Sequence, residues 1–144
     1  MRKIICLAVV VLMIGLVGCA GKKMAITQKD LPTLKGTWEG VINYGLFGGV
    51  QSGPMTLEIL NDTVPVKGKV TLDVPPNVAS AYGVPSGKAS RQNDDGKLTN
   101  QGTILWTGGG AAAHSMEATL TDAGKLQVFY YFLGMRGTGT LTKK

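Results

Sequence analysis

Apolar and polar residues alternate in short runs from Leu34 to the end of the chain, and turn-forming residues separate the runs. The stretch from Val66 to Val74 is the clearest case, because every second residue is Val, Leu or Gly and those between are Lys, Thr or Asp. A period of two predicts a strand with one buried and one solvated face, as in an antiparallel sheet. The pattern predicts seven or eight strands, at residues 35–44, 54–60, 65–74, 87–91, 98–107, 112–121, 125–133 and 135–142.

Turn chemistry separates the predicted strands and orders them as a series of hairpins. Asn61-Asp62, Asn93 to Gly96 and Asp122 to Lys125 contain residues that tolerate positive φ or hydrogen-bond their own backbone. A meander of hairpins closes most simply into a barrel, and closure removes the exposed sheet edges. The predicted fold is therefore all-β, a small antiparallel up-and-down β-barrel of about eight strands.

The N-terminus carries a different pattern, a short positive start followed by one apolar run. Arg2 and Lys3 precede an uncharged stretch from Ile4 to Gly18, which is shorter than the about 20 residues of a spanning helix and typical of a secretory signal. The stretch ends in Leu16-Val17-Gly18-Cys19, which resembles the lipobox of bacterial lipoproteins. The resemblance implies that the signal peptide is cut before Cys19 and that the Cys19 thiol is acylated with diacylglycerol.

This interpretation divides the chain into a signal peptide (1–18), a lipidated tether (19–33) and a β-barrel domain (34–144). In the terms of the same resemblance, Ala20 is compatible with outer-membrane sorting. We therefore expect a protein of the bacterial cell envelope, lipid-anchored at the outer membrane and facing the periplasm. Its membrane partner would be contacted through Cys19.

Removal of the signal also settles the cysteine count and the charge. Cys6 is lost with the signal and Cys19 is lipidated, so no thiol remains for a disulfide, a nucleophile or a zinc site. The basic residues of the mature chain are scattered rather than gathered in a stripe, which argues against nucleic acid as a partner.

Gly36-Thr37-Trp38 opens the first predicted strand, and Arg136 lies in the last one. This combination resembles the lipocalin and wider calycin barrels, in which a G-x-W motif begins the first strand and an arginine of the final strand packs across the tryptophan. The resemblance implies that Gly36, Trp38 and Arg136 are structural residues that close the base of the barrel. A guanidinium suits this position because it stacks on an indole face and still donates hydrogen bonds.

The sequence offers little catalytic chemistry. His114 is the single histidine, and strand alternation places Ser115 on the opposite face, so we expect a surface or rim histidine rather than a catalytic base. The Gly83 to Gly87 segment lacks the spacing of a nucleophile elbow, and Asn93 to Gly96 lacks the distal glutamate of a calcium loop. We predict no enzyme, no catalytic residue, no metal and no cofactor.

Two uncharged segments favour binding. Tyr44 to Gly53 is predicted to be a flexible contact loop that exposes Leu46 and Phe47, and Val74 to Gly87 a second long loop with room for one short helical turn. The strand at 125–133 is apolar on both faces, with Leu126, Val128, Tyr130 and Phe132 opposite Phe129, Tyr131 and Leu133.

These features leave two hypotheses for function. In the first, the barrel binds a small apolar ligand or a lipid. In the alternative, it is a protein-interaction module, an inhibitor or an envelope-assembly accessory, that uses the loops or the face of Phe129 and Tyr131. A hydrolase that depends on His114 is a remote third class.

Overall fold

A computed structural model describes residues 21–46, 49–108 and 114–144. The predicted signal peptide, the lipobox-like sequence that ends in Cys19, and Phe47 lie outside the described residues. The elements are β1 (Lys23–Met24), a 3-10 helix (Gln28–Asp30), α1 (Leu31–Leu34), β2 (Gly36–Leu46), β3 (Gly49–Ile59), β4 (Val66–Val74), α2 (Pro76–Tyr82), β5 (Gly87–Leu98), β6 (Ile104–Gly108), β7 (His114–Thr121), β8 (Leu126–Phe132) and β9 (Met135–Lys143). None of the helices in these ranges is long and apolar enough to cross a membrane.

The strands β2 to β9 form a closed antiparallel barrel in sequence order. Each strand pairs with the next, and β9 returns to β2 in a register that runs from Trp38 opposite Lys143 to Tyr44 opposite Gly137. The predicted all-β up-and-down barrel of about eight strands is confirmed. The two helices and the two-residue strand β1 lie at its ends.

The barrel has two different ends, which we call the base and the mouth. The base holds α1, the β3–β4, β5–β6 and β7–β8 connections and the C-terminus. The mouth holds the β2–β3 hairpin, α2 and the β8–β9 turn. Because the strands alternate, their apolar side chains point inward and form a continuous core between the two ends. The largest fully buried side chains include Trp106, Tyr44, Ile42, Met55, Leu57, Ile59, Ile104, Met116, Leu126 and Met135.

The segment predicted to be a tether is instead built into the base. In β1, Lys23 pairs with Thr121 of β7, where β6 no longer covers that edge. The backbone N–H of Ile26 donates to the carbonyl of Gly102 at 2.8 Å. The side chain of Ile26, with Leu31 and Leu34, is buried and closes the base. Of the residues predicted to form a lipidated tether (19–33), those from Gly21 onward therefore belong to the folded domain.

The polar run Asn93 to Gly96, predicted to be a turn, lies within the long strand β5 as a bulge. Gly68 of β4 pairs with Asn93 and Val66 pairs with Gly96, so β5 carries one extra residue between them. The indole of Trp106 fills the space beside Gly96, where a Cβ would lie 2.4 Å from its Nε1 atom. That nitrogen donates to the carbonyl of Val66 at 2.8 Å. A buried tryptophan thus explains why turn-like residues continue a strand.

Candidate ligand site at the mouth

A cavity of about 380 Å³ lies at the mouth, between β4 and β5 on one side and β8 and β9 on the other. Its lining is mainly apolar because the inward faces of the strands supply it. The lining residues are Val70, Leu72, Val74, Val84, Pro85, Ala89, Ser90, Arg91, Tyr130, Phe132 and Met135. Apolar walls with a few polar groups are typical of small-molecule sites.

The path of β5 accounts for the space. β5 pairs with β4 from Gly87 to Gly96, whereas the pairs with β6 among the described residues are Lys97 with Leu105 and Leu98 with Ile104. The mouth half of β5 therefore follows β4 and diverges from β6.

Arg91 is the cationic group of the cavity lining. Its guanidinium carbon lies 5.9 Å from the centroid of the Phe132 ring, so it reaches across the mouth from β5 towards β8. Burial raises the pKa of the Tyr130 hydroxyl, and the positive charge of Arg91 opposes that effect in part. The cavity thus combines apolar walls with one positive charge and the hydroxyls of Tyr130 and Ser90.

Tyr44 is completely buried, and its hydroxyl has no hydrogen-bond partner among the described residues. Burial first, and then the neighbouring Tyr130 and Asp73, raise the pKa of this hydroxyl from 10.0 to about 12. A buried hydroxyl without a partner destabilises a protein by about 1–3 kcal/mol. Tyr44 therefore keeps unused hydrogen-bonding capacity close to Tyr130 of the cavity.

His114 was predicted to be a surface or rim residue, but its side chain is buried at the mouth end of β7. Its Nε2 shares a hydrogen bond with Oδ1 of Asn93 in the β5 bulge, and a Cβ on Gly108 would overlap its ring. Ser115 faces the opposite side of the strand, as alternation predicts. Among the described residues, no group of three His, Cys, Asp or Glu side chains is placed to hold a metal ion.

The predicted contact between Trp38 and Arg136 does not occur. The antiparallel register of β9 against β2 places Lys143 beside Trp38, with its Nζ 5.9 Å from the indole centroid and donating to the carbonyl of Thr33. The indole Nε1 of Trp38 donates to the carbonyl of Leu34 at 2.7 Å. Trp38 and the neighbouring Gly36 therefore lie at the base.

Arg136 lies at the opposite end of the barrel. It is exposed at the start of β9, with its guanidinium carbon 5.9 Å from the centroid of the Tyr131 ring. The distance between Arg136 and Trp38 could have been inferred from the predicted strand order. In a closed antiparallel barrel the end of the last strand, and not its beginning, meets the start of the first.

The predicted contact loop from Tyr44 to Gly53 is mostly strand. β2 and β3 stay paired up to Leu46 opposite Gly49, so only the tip is a turn. Leu46 is half-buried against the core, while Phe47 lies outside the described residues. The hydroxyl of Tyr82 in α2 donates to the carbonyl of Gly45 at 2.6 Å, which fixes the second predicted loop over the hairpin. The two candidate loops therefore meet at the mouth.

The outer wall carries a separate feature around β8. Phe129 is 44% exposed, and its cross-strand neighbours are Glu117 and Thr138. It lines an open groove of about 470 Å³ together with Lys23 and Asn43. Of the predicted inner set, Leu126, Val128 and Tyr130 are buried and Phe132 is half-buried, while of the outer set Leu133 lies beyond the end of β8.

Fold and site together define a small up-and-down barrel with an apolar cavity at one end, an architecture compatible with ligand-binding calycin-like barrels. No protein-family model, curated protein or solved structure gives a significant match to this chain. The argument for function consequently depends on the geometry and chemistry of this chain's own residues.

Proposed function

We propose that this chain is a lipid-anchored protein of the bacterial envelope whose barrel binds one small apolar ligand, or one lipid chain, in the mouth cavity. The cavity is the observation that carries the binding part of the proposal. The signal-like N-terminus supports the anchor, and so does the sequence Leu16-Val17-Gly18-Cys19, which resembles a lipobox.

The dimensions of the cavity favour one small occupant. Its volume of about 380 Å³ falls near the lower end of the roughly 300–1,000 Å³ range of ligand pockets. An eight-stranded barrel has room for core side chains or for one small ligand. Here the base half is filled by residues such as Trp106 and Leu57, so the space left for a ligand is at the mouth.

The polar groups suit an amphiphilic ligand. Its apolar part would contact Val70, Leu72 and Phe132 on the walls, where each buried Å² of apolar surface contributes about 25 cal/mol. A polar or anionic end would lie beside Arg91, because a guanidinium binds carboxylates and phosphates in a planar, two-pronged geometry.

A cavity-filling variant tests the site. Ala89 is exposed on β5 and lines the cavity, so Ala89→Trp would occupy the entrance without disturbing the core. We expect the affinity for an apolar fluorescent anion such as anilinonaphthalene sulfonate to fall at least 10-fold. Ala123→Trp, in an exposed turn at the base, is the matched control and should bind normally.

Native mass spectrometry of the envelope-extracted protein gives a second reading. Protein that carries a bound lipid supports the proposal. If the unmodified chain shows no saturable binding of the probe and is always recovered without lipid, the apolar-ligand function is wrong.

A protein-interaction module is the second candidate, and the exposure of Phe129 on the outer wall, on the same face of β8 as Tyr131, favours it. A photo-crosslinking residue at position 129 should then capture one envelope protein in living cells. The same photo-crosslinking residue in place of Gln127, which is half-buried on the same wall, serves as the positional control. Capture of no specific protein at either position would exclude this wall as a docking surface.

A further inference from the structure

The N-terminal segment is held against the base of the barrel by backbone hydrogen bonds up to its first described residues. The backbone N–H of Asp122 donates to the carbonyl of Lys22 at 2.9 Å, and Lys23 pairs with Thr121. Gly21 lies against the same turn, where a Cβ would come within 2.5 Å of the Asp122 carboxylate. The chain is therefore fastened to the barrel from Gly21 onward.

Chain geometry then limits how far a lipid on Cys19 can lie from the base. Two residues extend by at most about 7 Å, so Cys19 stays within that distance of Gly21. β2 has 11 residues, and at about 3.3 Å per residue and a tilt of about 35–45° it raises the mouth roughly 25–30 Å above the base. An acyl chain on Cys19 would bring the base, not the mouth, to the bilayer.

The charge distribution points in the same direction. Exposed lysines surround the base on the N-terminal segment, the β7–β8 turn and the end of β9: Lys22, Lys23, Lys29, Lys35, Lys125, Lys143 and Lys144. The acidic side chains of the N-terminal segment and of β2 have partners there, since Asp30 accepts hydrogen bonds from Thr27 and Glu39 pairs with Lys144. Asp62, Asp95 and Asp122 are exposed at or near the same end, so the base is positive but not uniformly so.

We propose that the base of the barrel is a docking surface for a bilayer of anionic phospholipids and that it holds the mouth cavity pointing away from the membrane. The proposal depends on the lipid anchor at Cys19. Basic residues next to an anchor gain electrostatic attraction to anionic headgroups. In this orientation a ligand enters the cavity from the aqueous side and not directly from the membrane that holds the protein.

The opposite orientation has its own residues, and it is the outcome that the experiment must separate. Val50 at the β2–β3 hairpin is 67% exposed and Leu133 at the β8–β9 turn is 45% exposed. Both lie at the mouth, so their insertion into the bilayer would turn the cavity towards the lipid.

Two single-cysteine variants of the full lipidated protein report the orientation. Ala123→Cys places a fluorophore at the base and Ser86→Cys places one at the mouth, and both positions are exposed. In vesicles of phosphatidylglycerol and phosphatidylethanolamine with acceptor dyes on the headgroups, we expect strong energy transfer from position 123 and weak transfer from position 86. Equal transfer, or stronger transfer from position 86, would overturn the proposal.

Charge removal tests the docking surface itself. With Lys29, Lys35 and Lys125 replaced by Gln, or with neutral phosphatidylcholine vesicles, the difference between the two labels should shrink at least twofold. Lys88→Gln at the mouth is the matched control and should leave it unchanged. A difference that survives removal of the lysines and of the anionic lipid would mean that headgroup charge does not hold the base.

The lipid state of Cys19 separates this proposal from the proposed function. Mass spectrometry of the N-terminal peptide is done first, and an unlipidated Cys19 overturns both the anchor and the docking surface. A lipidated Cys19 with equidistant labels overturns the docking surface alone. Ligand binding in the mouth cavity is measured separately and does not depend on either result.

Discussion

The base and the mouth of this barrel are built from the same strands but solve different problems. At the base, Leu31 and Leu34 seal the core, the indole of Trp38 donates to the carbonyl of Leu34, and Lys143 donates to the carbonyl of Thr33. At the mouth, β5 diverges from β6, and a cavity opens beside Arg91 and Tyr130. The N-terminal segment closes the base, whereas at the mouth the buried hydroxyl of Tyr44 has no hydrogen-bond partner among the described residues.

This difference teaches where stability and function reside. A sealed end contributes buried apolar area and satisfied hydrogen bonds, whereas binding sites are drawn from the less tightly packed parts of a fold. The hydroxyl of Tyr44 at the mouth lacks a partner, while the indole nitrogens of both Trp38 and Trp106 have one. We therefore expect substitutions at the base to act on stability and substitutions at the mouth to act on binding.

The largest effect is expected from Leu31→Ala at the base. The side chain is fully buried, and removal of a buried leucine destabilises by about 2–5 kcal/mol. Val84→Ala removes a half-buried side chain at the mouth and should lower the free energy of unfolding by only about 0.5–1 kcal/mol. Urea unfolding followed by tryptophan fluorescence measures both, and equal losses would contradict the contrast between the two ends.

Tyr44→Phe is expected to stabilise the protein at neutral pH by about 1 kcal/mol, because it removes a buried hydroxyl that has no partner. The gain would show as a higher urea midpoint with an unchanged slope. Tyr82→Phe removes a hydroxyl that donates to Gly45 and should destabilise instead. If both variants lose stability, the hydroxyl of Tyr44 has a partner in solution.

The same residue predicts the response to alkaline pH. The folded-state pKa of Tyr44 is raised to about 12 from 10.0, so the neutral hydroxyl favours the folded state fully below pH 10. That stability is lost as the pH rises from about 10 towards 12, because the unfolded chain releases its proton first. Tyr44→Phe should flatten this part of the stability profile, measured by urea unfolding at pH 8 to 11.5. An unchanged slope would assign the alkaline loss to other groups, such as Tyr130.

The strands and the barrel could be predicted from the sequence because alternation with period two is a local signal. In β4 every second residue from Val66 to Val74 is buried, as the pattern indicated. The β5 bulge could not be predicted, since Asn93 to Gly96 has turn chemistry and only the distant Trp106 and His114 explain its burial.

The closure of the base by the N-terminal segment could not be predicted from the sequence, for a related reason. β1 is two residues long, and Leu31 and Leu34 lie in a helix of four residues, too short to give a periodic signal, so their burial depends on where the barrel ends. The mouth cavity likewise arises where β5 parts from β6, which no local pattern records. Of the candidate site, only the apolar walls from β4 and β8 could be read in advance.

At the mouth, Arg91→Gln should change binding and leave stability almost unaltered. Loss of the charge is expected to lower the affinity for an apolar anionic probe about 5–10-fold, which equals about 1–1.4 kcal/mol. The affinity for an uncharged apolar probe should not change. Arg136→Gln removes an exposed charge of the same end that does not line the cavity, and it serves as control. Equal weakening of both probes by Arg91→Gln would show that the guanidinium acts by packing on Phe132.

The smallest effect compares Lys143, which lies beside Trp38, with Arg136, which was predicted to lie there. Lys143→Ala removes an ammonium that lies over the indole and donates to the carbonyl of Thr33, and exposed contacts of this kind contribute about 0.5–1 kcal/mol each. Arg136→Ala lies at the mouth and should change stability by less than about 0.5 kcal/mol. The free energy of unfolding and the tryptophan emission maximum are the measurements, since only Lys143→Ala alters the surroundings of Trp38. A larger loss from Arg136→Ala would mean that closure of the base does not follow the register of β9 against β2, and with it the contrast between base and mouth would fail.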